Sequence, residues 1–420
     1  MSNPTPPPEW LRTDLGSVTK EEKDRVGAGP APVVLSSTKH QGLVPSDEFF
    51  KNRTIYSADL SNYKSVSRNW FAYATNHLAE GSIGLQTRFS ASCVSPIYTV
   101  FSCHVSVDPG FLFRVLKSPV ATAAFQLHEQ ASVDRRGAVR YRDFAKVTID
   151  LPPIDEQRRI AGILEMIDGA IRSTELVIEK LEKIGEGLLR DLLTRGVDEN
   201  GQLRDPISHP EYFVDTELGS IPSEWAIRSF GELADYLNGY AFKPGDWKDA
   251  GRPIIRIQNI NGSSTFNYYD GPVPSHCEIM SGDLIFAWSG TRDSSFGPTI
   301  WRGPDGLLNQ HIFHVYENTD LVSRGFLHSL LAHNLERIAT SAHGFKASFV
   351  HVKRGELTSV KVAVPTKAEQ ERILRVLQDH EELSSNEFRT LKSLRAIKEG
   401  LLDDLLAGRV RVPAHDEDAA

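Results

Sequence analysis

Two stretches of the chain carry a hydrophobic stripe at helical spacing, and two longer ones alternate short apolar runs with turn-forming residues. In the first stripe Ile160, Ile167, Thr174, Leu181 and Leu188 share one position of a seven-residue repeat, and Ile163, Ala170, Val177 and Ile184 share another. This spacing puts a seam on one helix face and predicts a coiled coil. From Asp155 to about Arg195 the helix would run roughly 60 Å, longer than an ordinary globular helix, which suggests a spacer. The second stripe keeps Ile373, Val376, Leu377, Leu383, Leu391, Leu394, Ile397, Leu401 and Leu405, while His380 and Glu387 interrupt it and predict a less regular middle. An apolar stripe commonly packs on its own domain. Antiparallel pairing of the two stripes accounts better for there being two.

The segments between the stripes read differently. Ser95–Phe101, Arg252–Ile257 and Asp283–Trp288 are β-rich runs bounded by turn residues, and short helices are expected near Gly110–Leu127 and Arg324–Ala339. Each segment is therefore α/β or mixed α+β, with no sheet order readable. Gly196–Pro222 collects Asp198, Asn200, Gly201, Pro206, Pro210 and Gly219, which predicts a connector, and the small acidic residues Ala414–Ala420 predict a frayed tail.

The stripes are copies of one another. Leu151-Pro-Pro-Ile-Asp-Glu-Gln-Arg-Arg-Ile160 aligns with Val364-Pro-Thr-Lys-Ala-Glu-Gln-Glu-Arg-Ile373 at an offset of 213 residues. The same offset places Leu181, Ile184, Gly187, Leu188 and Asp191 on Leu394, Ile397, Gly400, Leu401 and Asp404. A shorter echo, Pro8-Glu9-Trp10 with Gly16 against Ser223-Glu224-Trp225 with Gly231, precedes each large segment at an offset of 215. A repeat of this length makes the order domain, helix, domain, helix.

Composition narrows the function. A chain of 420 residues exceeds one ordinary core, and 40% hydrophobic with 24% charged residues is usual for a folded globular protein. Neither an apolar span nor a signal-peptide pattern occurs, and Cys93, Cys103 and Cys277 form no metal or disulfide framework, so a reducing cytoplasm and no membrane are expected. The net charge of −8 argues against a nucleic-acid partner until its distribution is considered. Val33–Asp150 carries 13 basic and 9 acidic residues and Glu224–Ala363 carries 13 and 14, against 8 and 15 in Leu151–Ser223 and 9 and 12 in Val364–Ala420. The acidity lies mainly outside the two large segments.

The "LPPIDEQRRIAGIL" and "VPTKAEQERILRVL" motifs, the "EGLLRDLLTRGV" and "EGLLDDLLAGRV" exits and the "DTELGSIPSEW" approach together resemble the specificity subunit of type I restriction-modification systems, over nearly the whole chain. The resemblance implies two target-recognition domains separated by two long antiparallel helices. Each domain would read half of an asymmetric bipartite site in double-stranded DNA. The implied division is an N-terminal recognition domain at 1–150, a spacer helix at 151–197, a connector at 198–223, a C-terminal recognition domain at 224–363, a second helix at 364–412 and a tail at 413–420. It further implies two methyltransferase subunits and restriction/translocase subunits as partners, with S-adenosylmethionine, ATP and Mg bound by those partners and no cofactor in this chain.

The residues themselves agree on a non-catalytic role. No Asn/Asp-Pro-Pro-aromatic motif is present to position an adenine amino group, and no GxxxxGK[ST] loop to cradle a triphosphate. Asp14 with Glu21, Glu22 and Lys23 has the residue types of a nuclease metal site, in surroundings that read as charged rather than strand-like. His311, His314, His343 and His351 lack a cysteine or carboxylate to complete a ligand set, so no metal is expected.

Base edges are read mainly by Arg, Lys, Asn and Gln. The candidates in the first domain are Lys39, His40, Gln41, Arg68, Asn76, Arg88, Arg135, Arg136 and Arg140. In the second they are Arg256, Gln258, Asn259, Arg292, Asn309, Gln310, His311, Lys346 and Lys353. Ile160, Ile167, Leu181, Leu188, Ile373, Leu394 and Leu401 are the candidates for the coiled coil or for partner binding. Two other classes remain open at this point: a protein-binding scaffold that ignores DNA, and a nuclease-bearing restriction protein.

Overall fold

The computed structural model describes residues 7–27, 32–51, 53, 55–130, 138–291, 294–341 and 349–412. The chain forms two compact units. One runs up to Glu175 and resumes at Arg389; the other is Leu176–Phe388.

In the first unit Leu11–Asp14 pairs antiparallel with Thr148–Leu151, immediately before the first long helix, Ile154–Thr194. A four-stranded sheet follows in the order Thr19–Glu22, Tyr98–Cys103, Phe71–Ala74, Ile83–Leu85. A second sheet has the order Gly42–Pro45, Val33–Thr38, Ser92–Val94, Lys64–Ser65, with Val33–Thr38 and Ser92–Val94 parallel. Aromatic residues dominate the core: Phe71 stacks on Phe101 at 4.8 Å, and both join Tyr73, Phe111, Phe125 and Phe144 around Ile160 and Leu164 of the long helix.

The second unit repeats this plan. Ala226–Ser229 pairs with Lys361–Val364 before the second long helix, Lys367–Leu406. One sheet has the order Ala234–Asn238, Ile312–Glu317, Leu284–Ala287, Gly297–Ile300. The other has the order Asn267–Tyr269, Arg252–Ile255, Gly306–Leu308, Glu278–Ile279, again with one parallel pair in its centre. The four-stranded sheets coincide strand for strand, although between the repeats the sequences share little; among the described residues the second unit alone adds a two-stranded sheet, Ser289–Thr291 with Phe349–His351. The expected connector is more structured than its breakers suggested, since Phe213–Thr216 and Gly219–Pro222 form a hairpin. Thr19–Glu22 is likewise a strand, contrary to the reading of its charges: Glu22 accepts from Ser102 at 2.7 Å and Asp14 from Thr148 at 3.2 Å.

The helices run antiparallel in each unit. In the first, Ile160 and Leu164 pack with Leu405 and Leu401, Asp168 meets Lys398 at 2.7 Å and Glu175 meets Arg395 at 2.7 Å, so partner numbers fall as the first helix rises. In the second, Leu192 and Leu193 pack with Ile373, and a Cβ on Gly185 would lie 2.7 Å from His380. Ile160, Ile167, Leu181, Leu188, Ile373, Leu394 and Leu401 are all buried or half-buried along this seam.

The second seam position, however, is Leu164, Ile171, Ile178 and Gly185, one residue beyond the expected Ile163, Ala170, Val177 and Ile184, and it continues at Leu192. Ile178 is 7% exposed while Val177 is 42% and Ile184 55% exposed. Steps of three and of four both keep a helical stripe, and apolar content alone does not choose between them. His380 and Glu387 do not break the second helix, which continues for 40 residues with both side chains half-buried in the seam.

The most closely repeated residues are the polar ones. Glu156 and Glu369 are 3% and 1% exposed. Glu369 accepts from Trp225 Nε1 at 3.1 Å, from the Val197 amide at 3.0 Å and from both terminal nitrogens of Arg204. Glu156 accepts from Arg411 Nε at 2.7 Å and Nη2 at 2.9 Å, and Arg411 also reaches Glu9 at 2.8 Å. Gln157 donates to the Pro152 and Ser106 carbonyls and accepts from the Asp108 amide; Gln370 does the same with Pro365, Leu321 and Ser323. The glycines of the short echo repeat too, since a Cβ on Gly16 would lie 2.9 Å from Ala145 and one on Gly231 3.0 Å from Thr358.

Two predictions follow from this packing. Glu369→Ala leaves a buried guanidinium and indole N–H without their acceptor and should cost about 3–5 kcal/mol in chemical denaturation. Glu156→Ala should cost less, because Arg411 is more exposed and keeps Glu9. The seam register is tested by pairing Ile178→Ala, expected to lose about 2 kcal/mol or more, with Val177→Ala, expected within about 0.5 kcal/mol of wild type. Equal losses would return the seam to Val177.

Candidate nucleic-acid interface

In the first unit the hairpin Val33–Thr38/Gly42–Pro45 presents Lys39, His40 and Gln41 at its tip, all exposed. Thr38 Oγ shapes the tip by accepting from the Gln41 amide at 2.8 Å, and Gly42 supplies the left-handed φ of 70°. Beside it, buried Gln86 organises the next loop: its Oε1 accepts from the Arg88 and Phe89 amides at 2.6 and 2.9 Å, and its Nε2 donates to the Phe89 carbonyl at 2.7 Å. Arg88 is thereby held with its guanidinium 5.2 Å from the Phe89 ring centre. His40, Gln41 and Arg88 line one groove of about 2020 Å³, whose opposite wall carries Asp168, Arg172 and Lys398 of the long helices.

The other first-domain candidates are more scattered. Exposed Arg68 precedes Asn69, which lines the groove and donates its amide to the Gln86 carbonyl. Asn76 lies beyond the other end of strand Phe71–Ala74, against His77 at 3.2 Å. Arg140 is exposed at the start of the short helix Tyr141–Phe144 and is not in the groove lining. Arg135 and Arg136 lie outside the described residues.

In the second unit the strand Arg252–Ile255 leads into a loop built on Asn259. This side chain is buried, with its oxygen accepting from the Arg256 amide at 3.0 Å and its nitrogen donating to the Ser263 and Thr265 carbonyls. Arg256 lies over the Trp247 ring at 5.1 Å and donates to Asn267 at 3.0 Å, which presents the guanidinium in a fixed direction. Gln258 is exposed and reaches the Thr265 carbonyl at 3.3 Å.

A second cluster surrounds Trp288, whose ring lies 5.4 Å from His311 and 4.7 Å from His351. Gln310 adjoins His311 at 3.4 Å, and Asn309 accepts from the His311 amide at 3.5 Å. Lys353 is exposed at the start of helix Arg354–Thr358. Arg292, Lys346 and His343 lie outside the described residues. His314 is buried in the interior, with its Nδ1 donating to the His276 carbonyl at 2.9 Å and its Nε2 lying 3.5 Å from Asp283. Among the described residues no group of three or more His, Cys, Asp or Glu could hold a metal ion, and no helix is long and apolar enough to cross a membrane.

Gln86, Asn69, Trp247 and Asn267 escaped the sequence reading. An exposed tryptophan in a polar loop was the available signal for Trp247. Gln86 and Asn69 carried none, because their roles arise from a tertiary approach of two loops.

Residues 222–396 match the family model described as the type I restriction modification DNA specificity domain. The MjaVIII specificity subunit of Methanocaldococcus jannaschii is 23% identical over 282 residues, which cover 64% of this chain and 63% of that one. The EcoBI specificity subunit of Escherichia coli is 29% identical over 155 residues, covering 36% of this chain and 31% of that one. The matches thus span less than two-thirds of either curated relative. The solved HsdS subunit from Thermoanaerobacter tengcongensis shares the fold, with a TM-score of 0.52 over 96% of this chain and 98% of that chain at 17% identity. Residues 222–396 thus match a type I restriction modification DNA specificity domain, and the chain is similar in sequence to type I specificity subunits and shares the fold of a solved HsdS subunit along almost its entire length.

Proposed function

We propose that the chain is the DNA-reading subunit of a type I restriction-modification complex, recognising an asymmetric split target and directing methyltransferase and restriction subunits to it. One observation carries this reading: two modules with the same order in both four-stranded sheets stand on duplicated helices, yet present different side chains at matching loops. The hairpin tip Lys39–Gln41 of the first module corresponds to the Arg256–Thr265 loop of the second. A constant frame with divergent loops is what reading two unlike half-sites requires, because base identity is discriminated by side chains placed on a rigid scaffold.

Catalysis is assigned to the partners, as are S-adenosylmethionine, ATP and Mg. The helices offer surfaces for those partners in duplicate. Ile184 and Ile397 occupy the same position of the repeat, and both are more than half exposed. Matching apolar positions on the two copies suit two copies of one methyltransferase subunit. A site in a cytoplasmic complex on double-stranded DNA fits these features.

Co-expression with the cognate methyltransferase subunit, followed by mapping of methylated adenines in the host genome, tests the reading. A new split motif with unlike halves is expected. An active, co-purifying partner that leaves no new motif would favour a protein-binding scaffold, and metal-dependent nicking by the purified chain would favour a nuclease.

A further inference from the structure

Among the described residues, no side chain of the hairpin tip Lys39–Gln41 is bonded to the body of the module, yet two features tie the tip down. Gly84 lies so close beneath it that a Cβ there would come within 2.3 Å of the Leu43 amide nitrogen. Ser82 Oγ donates to the Ser37 carbonyl at 3.1 Å and lies 2.8 Å from Ser37 Oγ. At the outer end of this contact a single amine spans both loops: Lys117 Nζ donates to the Lys39 carbonyl at 2.6 Å and to the Gly81 carbonyl at 2.7 Å.

Lys117 caps the C-terminal end of helix Pro109–Leu116, its own amide bonding the Phe113 carbonyl. The first turn of that helix is anchored in turn, since Asp108 caps it and Gln157 holds the Asp108 amide. A continuous set of bonds therefore runs from the start of the long helix, through a short rigid helix, to the tip at Lys39. Burial pushes the Lys117 amine down to about 8. An amine that loses its proton still has two N–H groups, enough for two carbonyls.

We infer that Lys117 is a positioning residue for base reading: it fixes Lys39–Gln41 at the mouth of the groove, with its donors bonded to main-chain carbonyls. The inference rests on the proposed DNA-reading role of the module. It explains why a lysine is spent on main-chain carbonyls in a groove that carries His40, Gln41 and Arg88. The second module holds its corresponding loop from inside, through Asn259.

The test uses the full chain in complex with its methyltransferase subunit, with methylated adenines mapped across the genome for wild type and Lys117→Met, and thermal melting measured alongside. The variant keeps the apolar stem and loses the donors. Methylation should fall roughly tenfold or more at the wild-type motif and spread to sites altered in one half only, as expected when base contacts lose their alignment. The other half-site should be unchanged.

A uniform fall at all sites with both half-sites intact would overturn the inference, as would no change at all. If Lys117→Met fails to fold, Ser82→Ala, which cuts the other tie to the hairpin, is read by the same criteria. Absence of any split motif for wild type would instead remove the DNA-reading proposal beneath it.

Discussion

The fold depends on two buried glutamates, Glu156 and Glu369, each with a glutamine beside it at the start of a long helix. A carboxylate without solvent must be paired, and at each position an arginine meets that need. Trp225 adds an indole donor at Glu369. The neighbouring glutamine ties the helix entry to the N-terminal residue of a short helix in the module, Asp108 in one unit and Ser323 in the other. A buried polar knot tolerates few geometries, because every donor must find its acceptor or lose about 1–3 kcal/mol. It therefore fixes the module on the helix more tightly than an apolar contact of the same size, and leaves the module's loops free to vary.

This division of labour explains what could be read from the chain. The helix pair was legible because burial repeats along a helix at a regular spacing, and the motif copies were legible because the knots demand particular side chains. Glu156, Gln157 and their counterparts recur for structural reasons, which a search for chemistry would misjudge. The strands around Phe101 and Phe286 were visible as apolar runs, but their order was not, since each could pair with several neighbours and the choice is made by the whole core. The second seam position went to Val177 instead of Ile178 because a one-residue change leaves the stripe equally apolar.

The interface was legible in part. Listing Arg, Asn, Gln and His in loops found His40, Gln41 and Arg88, which the fold brings into one groove, and Arg256, which Trp247 and Asn267 orient. It equally picked Asn259, whose amide is bonded within its own loop, and Asn76, at the other end of its strand. Residue type says which side chains can read a base; only tertiary placement says which are aimed outward together. The supports of the site, Gln86 and Lys117, act on main-chain atoms and so leave no trace in the residue pattern.

If the frame is constant and the modules carry the reading, the modules should be interchangeable. The direct measurement is to replace residues 15–147 with a second copy of 230–360, junctions that fall between the paired short strands and the module cores, and to map adenine methylation by the complex. The account predicts a folded subunit whose target carries the second module's half-site at both ends. An unchanged target, or a motif unrelated to either original half, would contradict it.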